Sequence, residues 1–220
     1  MARALAPLLF LSLPLASGMA RSAGHSRPSS SGGGFGRPSP LRKGSKAPST
    51  TESLDSLVSR WPNRLPEDPS LSPCLCGSGR TYSKCCRNFH EGLDSPSTPD
   101  ALLRSRYSAF AYRLPAFIIR TTHPINRDWC EDQLSWARRL NRESMFDSFE
   151  FIALEPSEEE RGKGEDEAFI TFIVRMRNKE TGGEVAFRER SRFIRAEGLW
   201  LYASGEVGIE SELGLNELNV

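Results

Sequence analysis

Four of the chain's five cysteines fall within thirteen residues, Cys74-Leu75-Cys76-Gly77-Ser78-Gly79-Arg80-Thr81-Tyr82-Ser83-Lys84-Cys85-Cys86. A Cys-x-Cys pair, eight residues and a Cys-Cys pair match the spacing of metal ligands. Zinc takes four soft ligands at tetrahedral corners, and thiolates on two tight turns supply them. Gly77 and Gly79 allow the sharp turn after the first pair, at positive φ where a Cβ is resisted. Tyr82 is placed to shield so small a site, and Arg80, Lys84 and Arg87 to offset the negative charge of four thiolates. Two disulfides are the competing reading. They would close loops too short to constrain much, and adjacent Cys85 and Cys86 bridge only with strain. The expectation is one zinc held by Cys74, Cys76, Cys85 and Cys86. Four thiolates close the shell, so the metal is structural and not catalytic. His90 is the alternative fourth ligand in place of Cys86.

The stretch resembles the SEC-C motif, the small zinc module at the C-terminus of the SecA translocase and in several unrelated proteins. The pattern Cys-x-Cys-Gly-Ser-Gly-Arg/Lys-x-Tyr-x-x-Cys-Cys/His is matched almost residue for residue. Leu75 stands where the motif usually has Pro, which loosens the first turn without touching ligation.

The formal net charge of +1 is unevenly spread over the 220 residues. Residues 1–51 hold seven basic side chains and no acid, leaving 22 basic against 28 acidic ones in the remainder. The body is therefore mildly acidic. Residues 1–20 read as a signal peptide: Arg3, an apolar run from Ala4 to Ala16, then small residues. That run is too short to span a membrane, and no other stretch is long and apolar enough. Residues 21–50 are rich in Ser, Gly, Pro and Arg, the composition of a disordered transit-like segment. Together they look like a bipartite leader to a plastid, with the secretory pathway as the alternative. A thiolate cluster and an unpaired Cys130 argue against an oxidising destination.

Residues 51–73 read as a short helix, capped by Thr50 or Thr51 and striped with Leu54, Leu57, Val58 and Trp61, then a proline-rich linker. The zinc module takes residues 74–92. Thr98-Pro99-Asp100 opens a helix with Pro at its first turn. Leu102, Leu103, Arg106, Tyr107 and Phe110 share one face, Arg104 points the other way, and the helix ends near Arg113-Leu114-Pro115. A second helix runs from Pro115 to Thr121. A third, from about Asp128 to Glu143, is expected to bury Trp129, Trp136, Ala137 and Leu140. The period then changes to two. Strands are expected at 147–156, 168–177, 184–195 and 199–204, with a charged loop over 158–167. Along the third, Val185, Phe187, Glu189, Ser191 and Phe193 share a face opposite Arg188, Arg190 and Arg192. Residues 206–220 read as an acidic tail.

Helices followed by an antiparallel meander give an α+β fold. Three helices in the concave face of a curved four-stranded sheet bury both apolar sets, the cone of a nuclear transport factor two-like domain over 98–205. The chain is similar to the YchJ-like family. The likeness rests on Ala101–Phe110, Thr122-His123-Pro124, Phe187–Phe193 and Glu197-Gly198-Leu199-Trp200-Leu201-Tyr202, in order behind a SEC-C motif. The resemblance implies a zinc-motif protein with such a middle domain and no settled activity. Bacterial members often carry a second SEC-C motif at the C-terminus; this chain has no cysteine after Cys130.

The leading expectation is an accessory or adaptor protein that contacts a protein or ribosomal partner through its SEC-C module. The alternative is a small-ligand-binding protein or enzyme using the cone's interior, where Arg106, Tyr107, His123 and Glu189 are the candidate polar groups. For Glu189 and Arg106 a buried structural ion pair is favoured over catalysis. His123 is read more simply as a helix-terminal charge. Nucleic acid is disfavoured by the acidic body except through a ribosome. The sequence leaves the oligomeric state open.

Overall fold

The computed structural model describes residues 52–142 and 146–209. The leader lies outside them, as do the end of the third helix and most of the tail. The order is α1 (Leu54–Val58), a 3-10 turn at Tyr82–Lys84, α2 (Arg87–His90), α3 (Pro99–Tyr112), α4 (Pro115–Arg120), α5 (Gln133–Arg142), then β1 (Phe149–Arg161), β2 (Glu167–Asn178), β3 (Glu184–Ala196) and β4 (Leu199–Ile209). No helix among the described residues is long and apolar enough to cross a membrane.

The four strands form one antiparallel meander in the order β1-β2-β3-β4. β2 is therefore flanked on both sides, as its apolar run implies. The expected charged loop is shorter than composition suggests. Glu159, Glu160 and Arg161 pair with Ile170, Phe169 and Ala168, because a register shift after Pro156 lets the ladder continue. β4 likewise runs four residues into the expected tail. Glu197 and Gly198 both have positive φ, as a two-residue type I′ hairpin requires, and they join Ala196 to Leu199.

Thr98 caps α3 by accepting the Ala101 N–H at 3.1 Å, with Pro99 in the first turn. The helix stops where Arg113 turns left-handed and Pro115 begins α4. Two boundaries differ from the sequence reading. Ser53, not Thr50 or Thr51, caps α1, since its side chain accepts the Ser56 N–H. Asp132 accepts from the Ser135 N–H and hydroxyl, so α5 starts at Gln133. Trp129 thus precedes the helix and is 36% exposed, whereas Trp136, Ala137 and Leu140 are buried as expected.

Eleven residues of α3 are buried and the other three half-buried. One side carries Leu102, Leu103, Tyr107 and Phe110 into the core with the sheet; Tyr112 belongs to the cysteine cluster. This helix therefore lies between two packed bodies, and an ordinary amphipathic stripe would not suit it. Its two-sided burial sets the geometry of both candidate sites.

Candidate metal centre and buried polar core

The module is a small hairpin. Pro73 bridges to Thr81, the Cys74 N–H donates to Arg80 O at 2.8 Å, and Tyr82 N–H donates to Ser72 O at 2.9 Å. Gly77 and Gly79 have φ of 75° and 74°, so the turn uses the conformation glycine alone adopts readily. The sulfurs of Cys74, Cys76, Cys85 and Cys86 all lie within 4.8 Å of one another, and all four residues are buried. A tetrahedral zinc with bonds of about 2.3 Å separates its sulfurs by about 3.8 Å. The Cys76–Cys85 and Cys85–Cys86 sulfur distances are 3.4 and 3.8 Å. The donor set and its spacing thus fit a four-thiolate metal ion.

The chemistry of the cluster agrees. The hydrogen bond to Cys76 pushes the Cys74 thiol up to about 12, and that from Cys74 depresses Cys76. Cys86 is raised, first by its bond with Cys74. Thiols so crowded share few ionised states unless a cation is present. Ser78 Oγ at 3.1 Å and an Arg80 N–H at 3.5 Å from Cys85 Sγ supply the polar support that thiolate ligands need. Tyr82 and Tyr112 cover the cluster with ring centroids 4.8 Å apart.

His90 lies outside the group of four. Its Nδ1 is 3.0 Å from the Tyr82 hydroxyl and its Nε2 is 2.9 Å from Ser105 O. A carbonyl only accepts, so Nε2 carries the proton and Nδ1 accepts from Tyr82. The ring therefore joins module to α3. Arg104 Nη1 donates to Cys76 O at 3.2 Å and the Leu75 N–H donates to Tyr112 Oη at 3.2 Å, completing the seam. No sequence signal marks these contacts, which join elements far apart in the chain.

Burial lowers His90 to about 4. The unfolded chain binds its proton below about 6.5, while the folded protein refuses it until about 4. Its contribution is full above pH 6.5 and is lost as pH falls, by up to about 3 kcal/mol. Denaturant unfolding from pH 7.5 to 5 should show a steeper loss for the wild type than for His90→Gln, which keeps a donor and an acceptor.

Inside the cone, Arg106 and Glu189 are both fully buried. Arg106 Nη1 donates to Ile118 O at 3.0 Å, Thr121 Oγ1 at 2.7 Å and Thr122 Oγ1 at 3.2 Å. Glu189 Oε1 accepts from Ser191 Oγ at 2.6 Å and from Tyr202 Oη at 3.2 Å. Tyr202 links the two, since the Arg106 guanidinium stands 4.7 Å from its ring centroid. Burial raises Glu189 to about 8 and lowers Arg106 to about 10, and the two charges partly offset each other. Glu189 Oε2 makes no hydrogen bond among the described residues.

The other two candidates lie apart. Tyr107 meets Phe151 edge-on at 5.5 Å between centroids. His123 is half-exposed, and its Nδ1 accepts the Ile125 N–H at 3.1 Å. Tyr202 was the residue missed. The Glu197–Gly198 hairpin places it opposite Phe193, on the inner face with Glu189, and that register was the available signal.

Gly205 makes room for this network. A Cβ there would stand 2.6 Å from Tyr202 Oη and closer still to Glu189 Oε1. Gly205→Ala is expected to destabilise by about 1–3 kcal/mol through overpacking. Combining it with Glu189→Ala should recover part of the loss in thermal unfolding.

A family model for the SEC-C motif matches residues 72–88, and one for the YchJ middle NTF2-like domain matches 98–205. A UPF0225 protein of Serratia proteamaculans is 36% identical over 135 residues, spanning 60% of this chain and 81% of that protein. UPF0225 proteins of Deinococcus radiodurans and Streptomyces coelicolor are 35% and 36% identical, over 88% and 94% of their lengths and 61% of this chain. Among solved structures, RPA3114, a SEC-C motif containing protein from Rhodopseudomonas palustris, is 32% identical with a TM-score of 0.51, covering 61% of this chain and 98% of that one. These relatives are bacterial, and bacteria hold no plastids; they overturn the plastid destination expected from residues 1–50. Two motif matches in their expected order, on the fold they imply, and relatives matched over most of their length lead to one conclusion: the chain belongs to the YchJ (UPF0225) family.

Proposed function

We propose that the protein is a zinc-binding adaptor, whose metal is structural and whose SEC-C module contacts a protein or ribosomal partner. The observation that carries this reading is the closed set of four buried sulfurs in a module whose outer surface stays open. Leu71 and Leu75 are 79% and 44% exposed there, alongside exposed Arg80 and Lys84. Apolar side chains beside cations suit an acidic protein surface or a ribosomal one. A ligand inside the cone has less support. Arg106, Tyr202, Ser191 and Glu189 bond among themselves and their neighbours, and three clefts formed by the described residues are lined by other residues.

The test is affinity capture with the zinc-loaded protein, a Leu71→Glu/Leu75→Glu variant and a Cys74→Ser/Cys85→Ser variant. A partner or ribosomal fraction retained only by the wild type is expected. Equal capture by all three would remove the module from the interaction.

A further inference from the structure

The connector leaving the module, the end of α4 and the start of β4 enclose a cleft of about 200 Å³. Phe89, Phe117, Leu199 and Leu201 give it apolar walls. A cavity of about 150 Å³ admits a benzene-sized group, so this one has room for a leucine or phenylalanine side chain.

One wall of the cleft is a strand edge. Tyr202 N–H donates to Thr121 O and Tyr202 O accepts from His123 N–H, both at 2.9 Å, so this residue turns its backbone away from β3. Strand backbones repeat that orientation every second residue, and the register is unbroken between Trp200 and Tyr202. Trp200 therefore directs its N–H and C=O outward too. Its cross-strand neighbour Arg195 sends its own N–H the opposite way, to Asp166 O. On the α4 side, the Thr121 N–H is spent within the helix on Phe117 O. The Trp200 backbone pair consequently opens on the cleft. An extended peptide presents a complementary N–H and C=O at that spacing, with one side chain directed into an adjoining pocket.

The rim carries both charges, with Arg120 at the end of α4 and Asp94 on the connector. Asp94 accepts the Ser95 N–H at 2.7 Å, which fixes its carboxylate. Arg120 pairs with Asp55, whose side chain is 72% exposed. A solvent-exposed pair of this kind exchanges readily for another carboxylate.

We propose that this cleft docks an extended peptide carrying an acid toward Arg120, an apolar anchor in the cleft and a base toward Asp94. The proposal rests on the adaptor reading and gives the chemistry of the partner segment. A phage-displayed random heptapeptide library panned on the zinc-loaded full chain tests it. Enriched peptides should share the acid, anchor and base order. Their binding, followed by tryptophan fluorescence and calorimetry, should weaken about tenfold or more in Leu199→Arg and Arg120→Glu. A peptide with its acid changed to lysine should recover binding to Arg120→Glu. Zinc content and melting temperature are measured on every variant; Leu199→Ser and Arg120→Gln replace any that lose metal or fold. No enrichment, or unchanged binding by the cleft variants, overturns the proposal. Peptides lost only with Leu75→Glu overturn the cleft and keep the adaptor reading. Peptides lost with the cleft variants but kept by Leu75→Glu support the cleft.

Discussion

Exchanging Cys74 and Cys85 for serine is expected to abolish zinc binding and to undock the module from α3. Structural zinc sites contribute about 10–16 kcal/mol of apparent binding free energy near neutral pH, and in small modules that is folding free energy. The module has little else to hold it. Its buried apolar group is the four cysteines with Tyr82 and Tyr112. When the knuckle opens, the Tyr82–His90–Ser105 chain and the Arg104 bond to Cys76 O lose their fixed partners. Elemental analysis of reduced protein should give one zinc per chain for the wild type and none for the double variant. Cys130→Ser should keep the metal, since Cys130 lies outside the cluster. Amide exchange should speed up across 72–92 and on the face of α3 that carries Arg104 and Ser108. Wild-type protein without zinc, or full zinc in the variant, would refute the assignment.

The second large effect lies inside the cone. Arg106→Met is expected to cost about 1–3 kcal/mol, because it takes the buried donor away from Ile118 O and from the Thr121 and Thr122 hydroxyls. Glu189→Leu should cost about 1–3 kcal/mol by leaving the Ser191 and Tyr202 hydroxyls without their acceptor. The double variant should cost less than the sum, with a coupling of about 0.5–3 kcal/mol. The acidity of Glu189 adds a second handle. Its carboxyl is raised from 4.5 to about 8 by burial, so between those values the folded protein holds a proton that the unfolded chain has released. Stability from this group is full below pH 4.5 and is lost as pH rises through about 8, at about 1.4 kcal/mol per unit. Glu189→Gln should fold normally and flatten that slope. Strict additivity in denaturant unfolding, with a pH profile unchanged by Glu189→Gln, would mean that the two groups act independently.

Local chemistry made much of this legible in the sequence. The cysteine spacing predicted the cluster, Thr98-Pro99 predicted the start of α3, and the alternation from Val185 to Phe193 predicted which face of β3 is buried. Features set by register or by distant contact were not legible. Glu159–Arg161 read as loop because their side chains face solvent, yet their backbones pair with β2. Arg106 and Glu189 were expected to meet directly. Tyr202 stands between them, because the register running back from the Glu197–Gly198 hairpin sets it opposite Phe193 on the inner face. Arg113 was only a helix end in the sequence. Its left-handed backbone lets the guanidinium reach Pro62 O, Asn141 Oδ1 and Asp147, joining segments from three parts of the chain.

The double burial of α3 bears on how the protein tolerates change. A helix lying on one surface shows tolerated substitutions in a repeating rhythm of three and four, as α5 should, with Trp136, Ala137 and Leu140 intolerant and Ser135 and Arg138 permissive. A saturation scan of Pro99–Tyr112 should find no such rhythm. The permissive sites should be confined to half-buried Asp100 and Ala101 near the N-terminus, and the replacements accepted elsewhere should be small in number and similar in volume.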